Sequence, residues 1–301
     1  MKRILVTGAS GHLGRHVMQE LDGRHQAIGL DLTAHPDLTQ PVITASVMEA
    51  RKVTEACEGV DTVIHLAAMA NIYAGSAAEI MHVNTIGTWN VLAAAENAGV
   101  RRVVLCSSDS AVGLTVRPER MKQPAYLPID EDHPCHPTDP YGLSKLIGET
   151  IGRSFVDRGE VEVVALRPVY IMYPQVVAEW QLRARDPLAY RPREDPASPK
   201  AGGGPFWHYV RPQDIARAFR LAAEAPASEP SFSVFHVLSD ETLHPQPTLE
   251  RARDLFGTLP EIRAPEIYER NPHASLFSSR RFRDRYGFQP ERLDRGSFFT
   301  S

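Results

Sequence analysis

Arg3-Ile4-Leu5-Val6-Thr7-Gly8-Ala9-Ser10-Gly11-His12-Leu13-Gly14 runs from a short β-branched segment straight into three glycines. Arg3–Thr7 suits a buried strand, and the glycines turn the chain into a helix whose apolar residues Leu13, Val17 and Leu21 recur at i, i+4 and i+8. Gln26–Leu30 reads as a second strand with Asp31 at its carboxyl end. Glycines allow the main chain to approach a pyrophosphate, and the helix start offers unpaired N–H groups and positive partial charge to it. An acid at the tip of the second strand accepts both hydroxyls of an adenosine ribose and repels a 2′-phosphate. No Lys or Arg follows it in Leu32-Thr33-Ala34-His35, so the expected dinucleotide is NAD rather than NADP.

Outward from this unit, strands and helices alternate. Strands are expected at 41–44, 61–68, 101–106 and 161–166, and helices at 48–58, 77–98 and 140–158. Such alternation means α/β architecture: a doubly wound parallel sheet covered on both faces, with ligands at the carboxyl ends of its strands. Gly8, Gly11, His12, Leu13 and Gly14, then Asp31, Leu66-Ala67-Ala68, Ser107-Ser108 and Arg167-Pro168 all fall at that edge. Beyond Pro168 the pattern loosens. Residues 183–205, with Arg191-Pro192-Arg193 and Gly202-Gly203-Gly204-Pro205, read as a mobile, solvated loop. Helix returns at 213–225, a strand at 232–238, and short helices at 248–256 and 279–286.

The bulk numbers exclude several classes. The 301 residues carry 33 Lys+Arg against 37 Asp+Glu, and a net charge of −4 gives no electrostatic footprint for nucleic acid. No apolar run approaches the roughly 20 residues that span a bilayer. Cys57, Cys106 and Cys135 form no CxxC pair, which fits reduced thiols in a cytoplasmic protein. His133-Pro134-Cys135-His136, after Asp130-Glu131-Asp132, lacks a second ligand pair, so no metal is expected.

Tyr141-Gly142-Leu143-Ser144-Lys145 opens the helix expected at 140–158, where Tyr and Lys at i and i+4 share a face. The ammonium is expected to lower the phenol's pKa from about 10 towards the range of a useful base. Ser108, at a neighbouring strand end, would hold the same substrate oxygen. Together the three would remove a hydroxyl proton as hydride leaves the adjacent carbon.

These segments, with Asp61, His65-Leu66-Ala67-Ala68, Asn84-Thr85-Ile86-Gly87-Thr88 and Tyr209-Val210-Arg211-Pro212-Gln213-Asp214, resemble the extended short-chain dehydrogenase/reductases, the NAD-dependent epimerase/dehydratase family. The resemblance implies a Rossmann NAD-binding domain over 1–168, which segments at about 210–240 rejoin, and a smaller α/β substrate-binding region over 169–301. It gives Ser108, Tyr141 and Lys145 as catalytic residues, Lys145 also on the nicotinamide ribose, and places Asn84, which supports the active site, and Tyr141 among the cofactor-binding residues. It implies a homodimer through the helices carrying Asn84 and Tyr141, and a sugar-like substrate. The sequence departs from the family at three places. Thr44-Ala45-Ser46-Val47 offers adenine no acid, only Ser46. Val169-Tyr170-Ile171 has no Asn where nucleotide-sugar enzymes hold a diphosphate. Val112 replaces the usual Tyr, and the loop 114–137 is long enough for a lid.

The expected activity is hydride transfer from a secondary alcohol of a sugar-like substrate, with nucleotide-sugar epimerisation as the alternative. Dehydration is a weaker reading, because Asp109 alone stands where a pair of acids would be wanted. A non-catalytic NAD-sensing protein is the rival from another class, and the retained Tyr141 and Lys145 speak against it.

Overall fold

The computed structural model describes residues 1–114, 121–159, 161–185, 204–226 and 231–296. The chain order begins β1 (Arg3–Thr7), α1 (His12–Leu21), β2 (Gln26–Asp31), β3 (Val42–Thr44), α2 (Ala50–Cys57), β4 (Thr62–His65), α3 (Ala77–Asn97) and β5 (Arg102–Cys106). It continues with β6 (Tyr126–Leu127), α4 (Pro140–Val156), β7 (Glu162–Pro168), α5 (Pro174–Arg185), α6 (Pro212–Glu224) and β8 (Phe232–Val237). It ends with α7 (Thr248–Phe256), β9 (Glu261–Ile262), α8 (Pro265–Arg270) and α9 (Arg280–Tyr286).

Seven strands form one sheet in the order β3-β2-β1-β4-β5-β7-β8, and every pairing in it is parallel. Side-chain alternation splits the sheet's residues between two cores. Ile4, Val6, Ile64, Val104 and Val164 face a cluster with α1 and α6 (Val17, Met18, Ile215, Phe219), whereas Leu5, Val63, Val103 and Val163 face α2, α3 and α4 (Val53, Val91, Phe155). Every residue of β7 is buried, as a strand covered on both faces requires. Each fully buried Ile, Leu, Val or Phe contributes about 1.5–3 kcal/mol over exposure. Two such cores make covalent staples unnecessary, and Cys57, Cys106 and Cys135 are all free thiols.

The strand at 232–238 does join the main sheet, as β8 beside β7. The region after residue 168 holds more regular structure than its composition suggests: α5 continues to Arg185, into the segment read from sequence as a loop. The rest of that segment, 186–203 with Arg191 and Arg193, lies outside the described residues. The long segment after Leu114 is not a free lid where it is described. Tyr126 and Leu127 pair with Glu261 and Ile262 in a second, two-stranded sheet, and Ile129 bridges to Phe277. Long-range partners of this kind leave no local period, so neither strand is visible from sequence. No helix among the described residues is long and apolar enough to cross a membrane.

Candidate active site

The carboxyl ends of β1, β2, β4, β5 and β7 open onto one cavity of about 1080 Å³. At the end of β1 the chain turns at Gly8 with φ +74°, and a Cβ there would lie 2.6 Å from the Ala67 nitrogen. At Gly14 a Cβ would lie 2.0 Å from the Gly8 carbonyl oxygen, so α1 closes down on the turn only because both positions are glycine. Gly11 precedes α1 without a side-chain cap. The first-turn N–H groups are thus left for a ligand in the cavity that Gly8, Gly11, His12, Leu13 and Gly14 line.

Asp31 lines the same cavity, its carboxylate accepting from the Ser10 N–H at 2.8 Å and the Leu32 N–H at 2.7 Å. Leu66, Ala67, Ala68 and Pro168 line it too. Arg15 approaches the loop after β2 but is engaged there by His35 at 2.7 Å and Asp37 at 3.4 Å. A cradle closed to any Cβ, an uncapped helix start and an acid at the next strand's tip fit the pyrophosphate and ribose of NAD.

Ser108, Tyr141 and Lys145 line the same cavity. Asp139 caps α4 by accepting from the Gly142 N–H at 2.8 Å, and Pro140 sits at the first helical position, so Tyr141 and Lys145 fall in the first two turns. Ser108 ends the extended chain after β5 and caps a 3₁₀ turn over Asp109–Ala111. Its hydroxyl donates to Asp109 Oδ1 at 3.0 Å and accepts from the Ser110 N–H at 3.1 Å. Lys145 Nζ donates to the Cys106 carbonyl at 2.7 Å and lies 5.6 Å from the Tyr141 ring centroid.

The electrostatics differ from the sequence expectation at one point. Burial pushes the Tyr141 phenol above its ordinary value, and the lowering influence of the neighbouring Ser108 hydroxyl only partly offsets this. Burial also lowers Lys145. The lysine is therefore not enough to make a phenolate in the protein alone, because desolvation outweighs an amine turned towards Cys106. The Asp109 carboxyl, pushed up to about 7 by burial and by the Asp139 carboxylate, titrates near neutrality.

Asn84 is the one proposed cofactor residue that does not line the cavity. Its side chain accepts from the Met69 N–H at 2.8 Å and donates to the Met69 carbonyl at 3.1 Å and to Ser144 Oγ at 2.9 Å. Ser144 donates in turn to the Tyr141 carbonyl at 2.7 Å. Asn84 thus ties the Met69 loop to the helix turn bearing Tyr141. Behind the site a buried pair joins α4 to β7. Arg167 donates to both oxygens of Glu149 at 2.7 Å, and Ser107 donates to Glu149 Oε1 at 2.5 Å.

Sequence reasoning missed part of the lining of this cavity. Tyr73, Tyr170, Tyr173, Val176, Phe206 and His208 line it. His208 stacks on Phe206 with ring centroids 5.6 Å apart, and burial lowers it to about 3, so it stays neutral. These residues come from separate loops and carry no shared motif; only the Tyr170/Tyr173 spacing just past a strand end hinted at them. His133 accepts from the Ala125 N–H at 2.9 Å and contacts the Pro134 carbonyl at 2.8 Å, which uses both ring nitrogens structurally. Among the described residues no group of three or more His, Cys, Asp or Glu is placed to hold a metal.

The chain is 32% identical over 169 residues to the uronate dehydrogenase of Pseudomonas putida, covering 55% of this chain and 59% of that enzyme. It is 33% identical over 184 residues to the L-arabinose 1-dehydrogenase (NAD(P)(+)) of Haloferax volcanii, covering 60% of this chain and 71% of the other. The chain thus spans about three-fifths of the uronate dehydrogenase's length. In structure it resembles MoeE5 in complex with UDP-glucose and NAD, with a TM-score of 0.71 at 22% identity over 99% of this chain and 96% of that one. It also resembles a short-chain dehydrogenase/reductase superfamily protein from Agrobacterium tumefaciens with bound NAD, with a TM-score of 0.67 at 26% identity over 99% and 94%. The model of the NAD dependent epimerase/dehydratase family matches residues 4–237. The chain belongs to the NAD-dependent epimerase/dehydratase family.

Proposed function

We propose that this protein is an NAD-dependent oxidoreductase acting on a secondary alcohol of a small sugar-like substrate, with Tyr141 as base, Lys145 holding the cofactor ribose and Ser108 orienting the reacting oxygen. One observation carries the reading: the glycine cradle, Asp31, Ser108, Tyr141 and Lys145 converge on one cavity. NAD supplies the hydride acceptor. Tyr141 takes the hydroxyl proton, Ser108 holds the oxygen from which it comes, and the aromatic side chains of Tyr170, Tyr173 and Phe206 add apolar lining to the same cavity. Bound positive charge beside Tyr141 is what would bring its phenol back into range after burial has raised it. General base help of this kind is worth about 10²–10⁴-fold in rate.

A second reading, epimerisation of a nucleotide sugar, has support in the shared fold. Against it, Val169-Tyr170-Ile171 follow β7 without an amide to meet a diphosphate, and Tyr170 and Ile171 line the cavity there instead. The division into a cofactor part, 1–168 with about 210–240, and a substrate-facing remainder belongs to the same proposal. So do a homodimer and a cytoplasmic setting, the latter supported by three unpaired cysteines. Screening free sugars, uronic acids and nucleotide sugars with NAD tests the reading. Net dehydrogenation accumulates NADH, whereas an epimerase returns the hydride and accumulates almost none. NAD binding without turnover on any of these classes would leave the non-catalytic reading in its place.

A further inference from the structure

Ser108 has one proton and two lone pairs, and the structure assigns two of the three. The proton goes to Asp109 Oδ1 at 3.0 Å, one lone pair takes the Ser110 N–H at 3.1 Å, and one lone pair is left for a ligand in the cavity. With its proton held by Asp109, Ser108 can accept from the substrate hydroxyl through that lone pair and cannot donate to it. We propose that Asp109 is a positioning residue that sets, by carrying or lacking a proton, whether the Ser108 hydroxyl points away from the substrate or towards it. This rests on the oxidoreductase reading above and adds a residue and a control that the reading lacks.

The two states follow from donor counting. As a carboxylate, Asp109 is acceptor-only, so it holds the Ser108 proton. As a carboxylic acid it donates its own proton to Ser108 Oγ, and the Ser108 hydroxyl is then free to donate to a substrate oxygen that gains negative charge as the proton leaves for Tyr141. No bond to carbon changes in this switch; one proton is taken from solvent and one hydroxyl rotates.

The surroundings support a carboxyl that changes state under working conditions. Asp109 lines the cavity, so it exchanges protons with solvent. The charged group that faces it is Asp139, at the cap of α4, which disfavours a second negative charge, as does burial. From the same helix it is faced by the Tyr141 phenol, whose ionisation Asp109 opposes in turn. The nearby Lys145 ammonium is committed to the Cys106 carbonyl. The backbone N–H groups of Asp109 and Ser110 and the Ser108 hydroxyl pull the other way, and the balance lies at about 7.

The sign follows. Oxidation needs Tyr141 without its proton and, on this proposal, Asp109 with one. Log kcat/KM for the alcohol should therefore rise with pH below about 7 and flatten above it, where the gain at Tyr141 is cancelled by the loss at Asp109. Asp109→Asn keeps a donor to Ser108 at every pH. In that variant the rise should continue through neutrality, so the ratio of variant to wild type should grow about tenfold per pH unit above the bend. On a Ser108→Ala background the Asn change should leave the shape of the profile untouched, because the group it acts through is gone. An infrared difference spectrum of the protein alone, acid minus neutral, should contain a protonated-carboxyl band that Asp109→Asn removes. NADH fluorescence titration of each variant confirms a folded cofactor site. A variant that does not bind NADH is replaced by Asp109→Ser, which also removes the titrating group. A bend that persists in the variant, a wild type with no bend, or a carboxyl band that survives the substitution would each overturn the role of Asp109. Absence of turnover on any alcohol while NADH binds would instead overturn the oxidoreductase reading, with the infrared result still deciding whether Asp109 titrates.

Discussion

The Tyr141 ring and the Lys145 ammonium lie 5.6 Å apart at the start of α4, and the ammonium is anchored on the Cys106 carbonyl at 2.7 Å. The anchor fixes the amine at the end of β5, one helical turn from the phenol, and leaves its remaining protons for a ligand in the cavity. The phenol meanwhile is raised by burial. Tyr141→Phe removes the acidic proton and keeps the ring, so NAD binding should stay within about twofold while turnover falls by at least about 10²-fold. Isothermal titration with NAD and steady-state assays on one preparation check both halves. Unchanged turnover would remove Tyr141 from the chemistry.

On the proposed reading, Asp31 carries the cofactor preference. Its carboxylate already accepts from Ser10 and Leu32 N–H groups, which aims it at the cavity. Hydrogen bonds to a charged acceptor are worth about 1.5–3 kcal/mol each, so Asp31→Ala should weaken NAD by roughly tenfold or more and narrow the gap to NADP. Dissociation constants for both dinucleotides, wild type and variant, decide it. A wild type that prefers NADP would show that Arg15, held here on His35 and Asp37, governs the ribose pocket instead.

How much of this was legible in the sequence varies with the physics. The central strands of the main sheet were readable because β1, β4, β5 and β7 are apolar runs buried on both faces, and the glycines because their geometry leaves no room for a side chain. The tip residues Asp31, Ser108 and Pro168 were readable for the same reason: strand ends of a parallel sheet share one edge. Pairing of β6 with β9 was not legible, since two-residue strands joined across the chain have no period. Nor was the wall of Tyr73, Tyr170 and Phe206, which only the packing of separate loops creates. The commitment of Asn84 to Met69 and Ser144 depends on the crossing of α3 and α4, which no spacing encodes. The raised phenol of Tyr141 follows from burial depth, a quantity that a motif does not contain.

Glu149 should matter to stability out of proportion to its distance from substrate. It is buried, takes two hydrogen bonds from Arg167 and one from Ser107, and sits one turn beyond Lys145. Removing one partner of a buried pair leaves the other charge without compensation, at about 3–5 kcal/mol. Glu149→Ala should therefore lower Tm by many degrees, and Glu149→Gln, which keeps an acceptor for Arg167, should lower it less. Thermal unfolding followed by circular dichroism separates the two. Equal and small losses would show that Arg167 does not depend on Glu149, its existing hydrogen bond to Cys135 Sγ at 3.3 Å being one contact that remains.

The outer face of α3 and α4 makes the last prediction. Ile86 and Trp89 on α3 and Leu143 on α4 are 43%, 42% and 41% exposed, and the two helices are packed side by side. Single exposed apolar residues are ordinary, but three of this size on adjoining helices form a patch that gains by being covered. A second copy laid across it would bury α3 and α4 in a four-helix arrangement and fix the turn that bears Tyr141 through the Asn84–Ser144 link. Trp89 also packs edge-on against Phe155 at 5.1 Å under the Arg158 guanidinium, so changing it would confound dimerisation with folding. Ile86→Glu with Leu143→Glu avoids that, since both side chains point to solvent within one chain. Light scattering should then give the mass of two chains for wild type and of one for the double variant, with the circular dichroism spectrum unchanged. A wild type that runs as a single chain across micromolar concentrations would assign the patch to something other than self-association, and the double variant would then be expected to match it in mass and in activity.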